Sequence, residues 1–173
     1  MKKTSILLST ILLLAACGPK STIHPANGNQ RHSVVSTHKS MPTTKGKCSV
    51  PMRRDGGVCY VVVKINGVDM EVIFDTGASD VVISSVEALF LLKQGKLTEE
   101  DVLGTSYYQV ANGSISSGTV IRLRSVQIGS KILSDVRATV VDNMEAPLLL
   151  GQSALDRFAS VSIDYKNNVI NIE

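Results

Sequence analysis

Histidine is missing from residue 39 onward: the chain's three histidines, His24, His32 and His38, all lie near its start. Without an imidazole, the rest of the chain cannot assemble a Ser–His–Asp or Cys–His arrangement, whose base is a histidine. Nor can it build a zinc hydrolase of the usual imidazole-ligated kind, and two further thiols make a poor metal site on their own. No stretch matches the Walker pattern or Gly-x-Gly-x-x-Gly, so a phosphate-cradling loop is lacking as well. The 18 Lys and Arg are scattered among 15 Asp and Glu, and no basic cluster points to nucleic acid. No internal repeat is visible and no cofactor or metal is implied. Carboxylates remain as the groups for acid–base work.

The first residues do not read as part of a fold. "MKKTSILLSTILLLAAC" has a basic start (Lys2, Lys3), an apolar run and small residues before Cys17. This is the pattern of a secretion signal, and the apolar run is too short for a comfortable membrane span. Its end, Leu14-Ala15-Ala16-Cys17, resembles the bacterial lipobox, which implies a signal peptide over 1–16 and a lipidated Cys17. Gly18 after the cysteine is not Asp. By the same resemblance, this favours the outer membrane, facing the periplasm, over retention at the inner one. Removing a segment with two lysines and no acids takes the net charge from +3 to +1. Residues 18–47 are rich in Ser, Thr, Asn, Lys, Gly and Pro and show no hydrophobic period. Such a segment cannot bury enough surface to offset its ordering entropy. With Cys17, it is expected to be a flexible tether (17–47) with a reach of roughly 30 Å. Residues 48–173 form the expected domain. Outside the cytoplasm its two cysteines, Cys48 and Cys59, are expected to form a disulfide.

Short apolar or alternating runs dominate that domain, separated by turn signals. "CYVVVKINGVDMEVIFDTG" reads as strand, Asn66-Gly67 turn, strand, since Asn-Gly between β-branched runs is a strong hairpin cue. "DVVIS" is a further strand. Between 85 and 104 the composition shifts to Leu, Ala, Glu and Lys, and Thr98 before Glu99-Glu100-Asp101 looks like a helix cap followed by a solvated acidic first turn. One or two short helices are expected there. Strands return from Ser106, with hairpin tips at Asn112-Gly113, Gly129-Ser130 and Asn167-Asn168. "APLLLGQSALDRF" reads as a buried strand, a glycine and a short helix. The fold class is therefore mostly β with little helix.

One feature interrupts this pattern. In "EVIFDTGASDVVIS" two apolar runs are broken by Asp75-Thr76-Gly77, although an ionised Asp is costly to bury alone. The order of "VIFDTGAS", a hairpin tip at Ala111-Asn112-Gly113, and Leu149-Leu150-Gly151 leading into a helix resembles the retropepsin-like aspartic proteases, in particular their bacterial single-lobe relatives. Asp-Thr-Gly alone is a weak signal, but its context over roughly residues 58–173 makes it specific. The resemblance implies a closed, barrel-like single lobe. It also implies a peptide-hydrolysing activity in which two carboxylates share a proton and activate a water.

By that resemblance Asp75 is catalytic, Thr76 braces the turn through its hydroxyl, and Gly77 lets the backbone pass close to the carboxylates. Ala111, Asn112 and Gly113 form the tip of a flap over the substrate. Ala78, Leu149, Leu150 and Gly151 support the turn. Ala78 has no hydroxyl to donate toward a carboxylate, so a mildly acidic to near-neutral working pH is expected. Only one Asp-Thr-Gly occurs and no Asp-Ser-Gly, so the second carboxylate must come from another copy across a C2 axis. The reading is a homodimeric aspartic endopeptidase anchored to the membrane through its lipid and acting on a peptide or protein. Two alternatives stay open: a non-catalytic binding lipoprotein that keeps the fold, and an unrelated β fold in which Asp-Thr-Gly is incidental. Asp80 is expected at the surface or in a turn, and the C-terminal "VINIE" either completes a dimer interface or stays within one protomer.

Overall fold

The computed structural model describes residues 46–109 and 113–173. The expected signal, Cys17 and nearly all of the tether, together with Ala111 and Asn112, lie outside the described residues. Within them the elements run β1 (Cys48–Asp55), β2 (Val58–Ile65), β3 (Val68–Phe74), β4 (Val81–Ser84), α1 (Ser85–Lys93), a single 3-10 turn (Glu99–Asp101), β5 (Val102–Gln109), β6 (Ile115–Ile128), β7 (Lys131–Val141), β8 (Leu149–Leu150), α2 (Gln152–Leu155), β9 (Val161–Asp164) and β10 (Val169–Ile172). The chain is mostly β with short helices.

Local chemistry sets the breaks. Asn66 and Gly67 both adopt positive φ, 48° and 84°, as the tight turn between β2 and β3 requires. β2 alternates strictly, burying Cys59, Val61, Val63 and Ile65, and each of its buried Val or Ile side chains contributes roughly 1.5–3 kcal/mol. The Ser84 hydroxyl caps α1 by accepting from the amides of Val86 and Glu87. Gly95, at φ 65°, follows the end of this helix.

The strands form one sheet in the order β5-β6-β7-β4-β8-β3-β2-β1-β10-β9, and an additional β2–β6 pairing joins β6-β7-β4-β8-β3-β2 into a ring. A single hydrophobic core fills it, including Ile83, Leu123, Leu133, Val136 and Leu150. Closing the sheet removes most of its free edges. The C-terminal strand pairs within its own chain, with β10 lying between β1 and β9.

The expected Cys48–Cys59 disulfide is absent, and both residues are free thiols. The register explains it. Cys48 lies opposite Ile172 on β10, whereas Cys59 lies opposite Arg54, six positions further along β1. An extended strand covers up to about 20 Å over that span, and a disulfide tolerates Cα atoms no more than about 7 Å apart. Cys59 is instead a small buried hydrophobe in the core.

Candidate active site

Asp75 follows directly on β3, whose Phe74 pairs in parallel with Leu150 of β8. The Asp75 amide donates to the Leu150 carbonyl at 3.2 Å, which fixes where the strand ends and the turn begins. The Gly77 amide donates to Asp75 Oδ1 at 2.8 Å. A Cβ on Gly77 would sit 3.2 Å from that same oxygen, so glycine leaves the carboxylate room to lie against the backbone. Asp75 and Ala78 are half-buried, while Thr76 and Gly77 are exposed.

The turn rests on the β8–α2 segment. The amides of Gln152 and Ser153 donate to the carbonyls of Ala78 and Ser79, both at 2.9 Å, and Gln152 Nε2 donates to the Thr76 carbonyl at 2.8 Å. Between them Gly151 passes so close beneath the turn that a Cβ would lie 2.1 Å from the Asp80 carbonyl oxygen and 2.7 Å from that of Ala78. No side chain fits there. Leu150 is buried and Leu149 faces the groove described next. The resemblance-based grouping of Asp75, Thr76, Gly77, Ala78, Leu149, Leu150 and Gly151 is thus one contiguous unit of structure.

Above it opens a groove of about 1220 Å³. Asp75, Gly77 and Ala78 lie on it from the turn, and Tyr107, Tyr108 and Gly113 from the β5–β6 hairpin. Gly113 has a positive φ of 86° and accepts at its carbonyl from Gln109 Nε2 at 3.2 Å. At Gly118 a Cβ would lie 2.6 Å from Thr139 Cγ2 and 3.2 Å from Tyr108 Cε1, so glycine there lets the hairpin close down on β7.

Two acids that the sequence leaves at the surface are not free. Asp80, half-buried on the groove, accepts from Arg137 Nε and from the Thr139 hydroxyl. Asp101, expected in a solvated acidic turn, is only 1% exposed. It closes a capping box with Thr98 and pairs with Arg122 and Arg124. Burial pushes its carboxyl up, but the Thr98 amide and hydroxyl and the two arginines outweigh that and hold it below the ordinary aspartate range. The pairing was invisible in the sequence because both arginines come from β6, about twenty residues away. Tyr107, Tyr108 and Arg137 were also missed as groove residues. The aromatic pair "YY" just before the expected hairpin tip was the available signal for the first two. Among the described residues no three His, Cys, Asp or Glu side chains gather as a metal site.

The model of the family described as "gag-polyprotein putative aspartyl protease" matches residues 61–157, from β2 through α2. The chain belongs to this aspartyl protease family. The matched span contains the Asp75 turn, the hairpin and the Leu149–Gly151 support. Among solved structures, the chain is similar to the crystal structure of a retropepsin-like aspartic protease from Rickettsia conorii, with 27% identity and a TM-score of 0.55 over 73% of this chain and 89% of that one. No curated protein matches the chain. Family and fold agree on a retropepsin-like aspartic protease lobe, and the chain's one Asp-Thr-Gly, at Asp75, lies within the matched span.

Proposed function

We propose that the protein is an aspartic endopeptidase active as a homodimer, with Asp75 from each protomer at a shared two-fold axis. The observation that carries this reading is how Asp75 is held. Among the described residues it accepts one hydrogen bond, from Gly77, and faces an open groove. The other carboxylate on that groove, Asp80, is engaged by Arg137 and Thr139. A two-carboxylate site therefore needs a second copy, and the exposed Thr76 beside Asp75 is available to meet its counterpart. In the dimer, one carboxylate removes a proton from water while the other, protonated, donates to the scissile carbonyl oxygen. The water attacks the carbonyl carbon, the proton passes on to the leaving nitrogen, and the C–N bond breaks. The β5–β6 hairpin covers the substrate as a flap.

The lipobox-like Leu14–Cys17 and the polar stretch after it support a lipid-anchored protein of the bacterial envelope, held at the outer membrane and facing the periplasm. A tether of that length lets two anchored protomers meet on one surface.

The test is proteolysis of a diverse peptide pool by the soluble chain lacking residues 1–17, between about pH 4 and pH 7, at several protein concentrations. Asp75→Asn is run in parallel. Cleavage that rises faster than linearly with concentration and is lost in the variant is the expected result. A folded protein that cleaves nothing at any concentration would leave the lobe as a binding module.

A further inference from the structure

Asp80 and Arg137 share the groove with Asp75 but take no part in the chemistry above. Arg137 lies on β7 one position before Ala138, which pairs with Val81 at the start of β4, so it arrives beside the residues that follow the catalytic turn. Its Nε donates to both Asp80 oxygens, at 3.2 and 3.1 Å, and Thr139 Oγ1 donates to Oδ2 at 2.7 Å. Asp80 is therefore covered on both oxygens, whereas Arg137 is not covered in return. It meets Asp80 through Nε alone, and 48% of its side chain is exposed. Among the described residues its two Nη nitrogens make no hydrogen bond. That edge of a guanidinium can grip a carboxylate through two parallel N–H bonds.

A second arginine lies beside it on the sheet. Arg122 lies directly opposite Arg137 across the β6–β7 ladder, so the two side chains share a face, where like charges destabilise each other. Arg122 is held by Asp101 at 3.3 Å and approaches Asp135 at 3.9 Å, yet 41% of it is exposed. Arg122 does not line the groove and is answered by Asp101 and Asp135, so the donors that reach this end of the groove are those of Arg137. On the floor around Asp75 the groove offers carboxylate, backbone and apolar surface instead.

We propose that this end of the groove is a substrate subsite for an acidic side chain, Glu or Asp, with the Nη nitrogens of Arg137 donating to its carboxylate. The proposal rests on the protease reading and deepens it by naming a substrate class.

The test uses the full chain and peptides in matched pairs that differ only in Glu against Gln at one position, scanned along the sequence. All termini are amidated, so that the only carboxylate is on a side chain. Wild type is followed by cleavage, and Asp75→Asn by fluorescence anisotropy of the same labelled peptides. At one position Glu should be favoured over Gln about tenfold, in kcat/KM for wild type and in Kd for Asp75→Asn, because a charge-assisted hydrogen bond replaces a neutral one. Arg137→Gln should cut that ratio to within about twofold. Arg137→Lys, which keeps the charge but loses the fork, should cut it about threefold, and it decides the matter if Arg137→Gln does not fold. Cleavage without a Glu preference at any position overturns the proposal, as does a preference unchanged in Arg137→Lys. Failure of the protease reading looks different: no peptide is cleaved, while Glu peptides still bind Asp75→Asn about tenfold more tightly than their Gln counterparts. Neither cleavage nor selective binding overturns both.

Discussion

Asp75 and Asp101 are both aspartates held at the edge of the same core, and the chain treats them in opposite ways. Asp101 is 1% exposed and takes hydrogen bonds from the amide and hydroxyl of Thr98 and from Arg122, with Arg124 at 3.5 Å. Every element needed to neutralise it comes from its own chain. Asp75 takes one backbone hydrogen bond and looks into an open groove. A carboxylate satisfied from within stabilises a fold, and one with free acceptor capacity is available to a proton, a water or a second carboxylate. The difference lies in the neighbours and not in the residue type.

The largest expected effect separates the two by function. Asp75→Asn should lower the cleavage rate by at least about a thousandfold, since on the proposed mechanism it removes the group that acts on the reacting water, while the melting temperature stays near wild type. Equal loss of rate and of stability would mean that Asp75 is another structural acid. Asp101→Asn should do the reverse, keeping activity per folded molecule and costing about 2 kcal/mol in denaturant unfolding. That is less than for a fully buried pair, because Arg122 and Arg124 are 41% and 47% exposed. Acid sharpens the contrast further. The Asp101 carboxyl sits below its ordinary value in the folded state, so its contribution is present in full above about pH 5, begins to fall as the pH nears the ordinary aspartate range and is lost as it drops through the depressed folded value. The stability gap between wild type and Asp101→Asn should therefore narrow steadily in melts taken from pH 5 downward. A gap that widened in acid would reverse the assignment. The smallest expected effect is none at all: reductant should leave the melting temperature unchanged, because Cys59 on β2 faces β1 at Arg54, six positions from Cys48, too far for a bridge.

The sequence disclosed most clearly what is encoded locally. Asn66-Gly67 turned where a two-residue hairpin must, and Thr98 begins a 3-10 turn where a helix start was expected, whereas Ser84, read as the end of a strand, also caps a helix. The Leu149–Gly151 run was legible as a buried strand ending at a glycine, although only the fold reveals the 2.1 Å reason for that glycine. Contacts made across the sheet escaped notice. Nothing near Asp101 announces Arg122 and Arg124, and nothing near Asp80 announces Arg137, because each partner reaches its acid through strand pairing over 21 to 57 residues. The cysteine pair misled for the complementary reason. Closeness along the chain and an even count suggested a bridge, and an extended strand then carried the two sulfurs apart.

Strand order also has a consequence in time. β8, two residues long, is wedged between β3 and β4, which follow each other in the chain on either side of Asp75 but pair with a segment synthesised some seventy residues later. The two halves of the turn cannot settle into place on their own. A chain stalled or cut before Leu149 has its Asp-Thr-Gly but nothing to set it against, and such long-range pairing is slow to form. The turn is therefore complete only once Leu149 and Leu150 have joined the sheet, and a copy that lacks them carries the motif without its support.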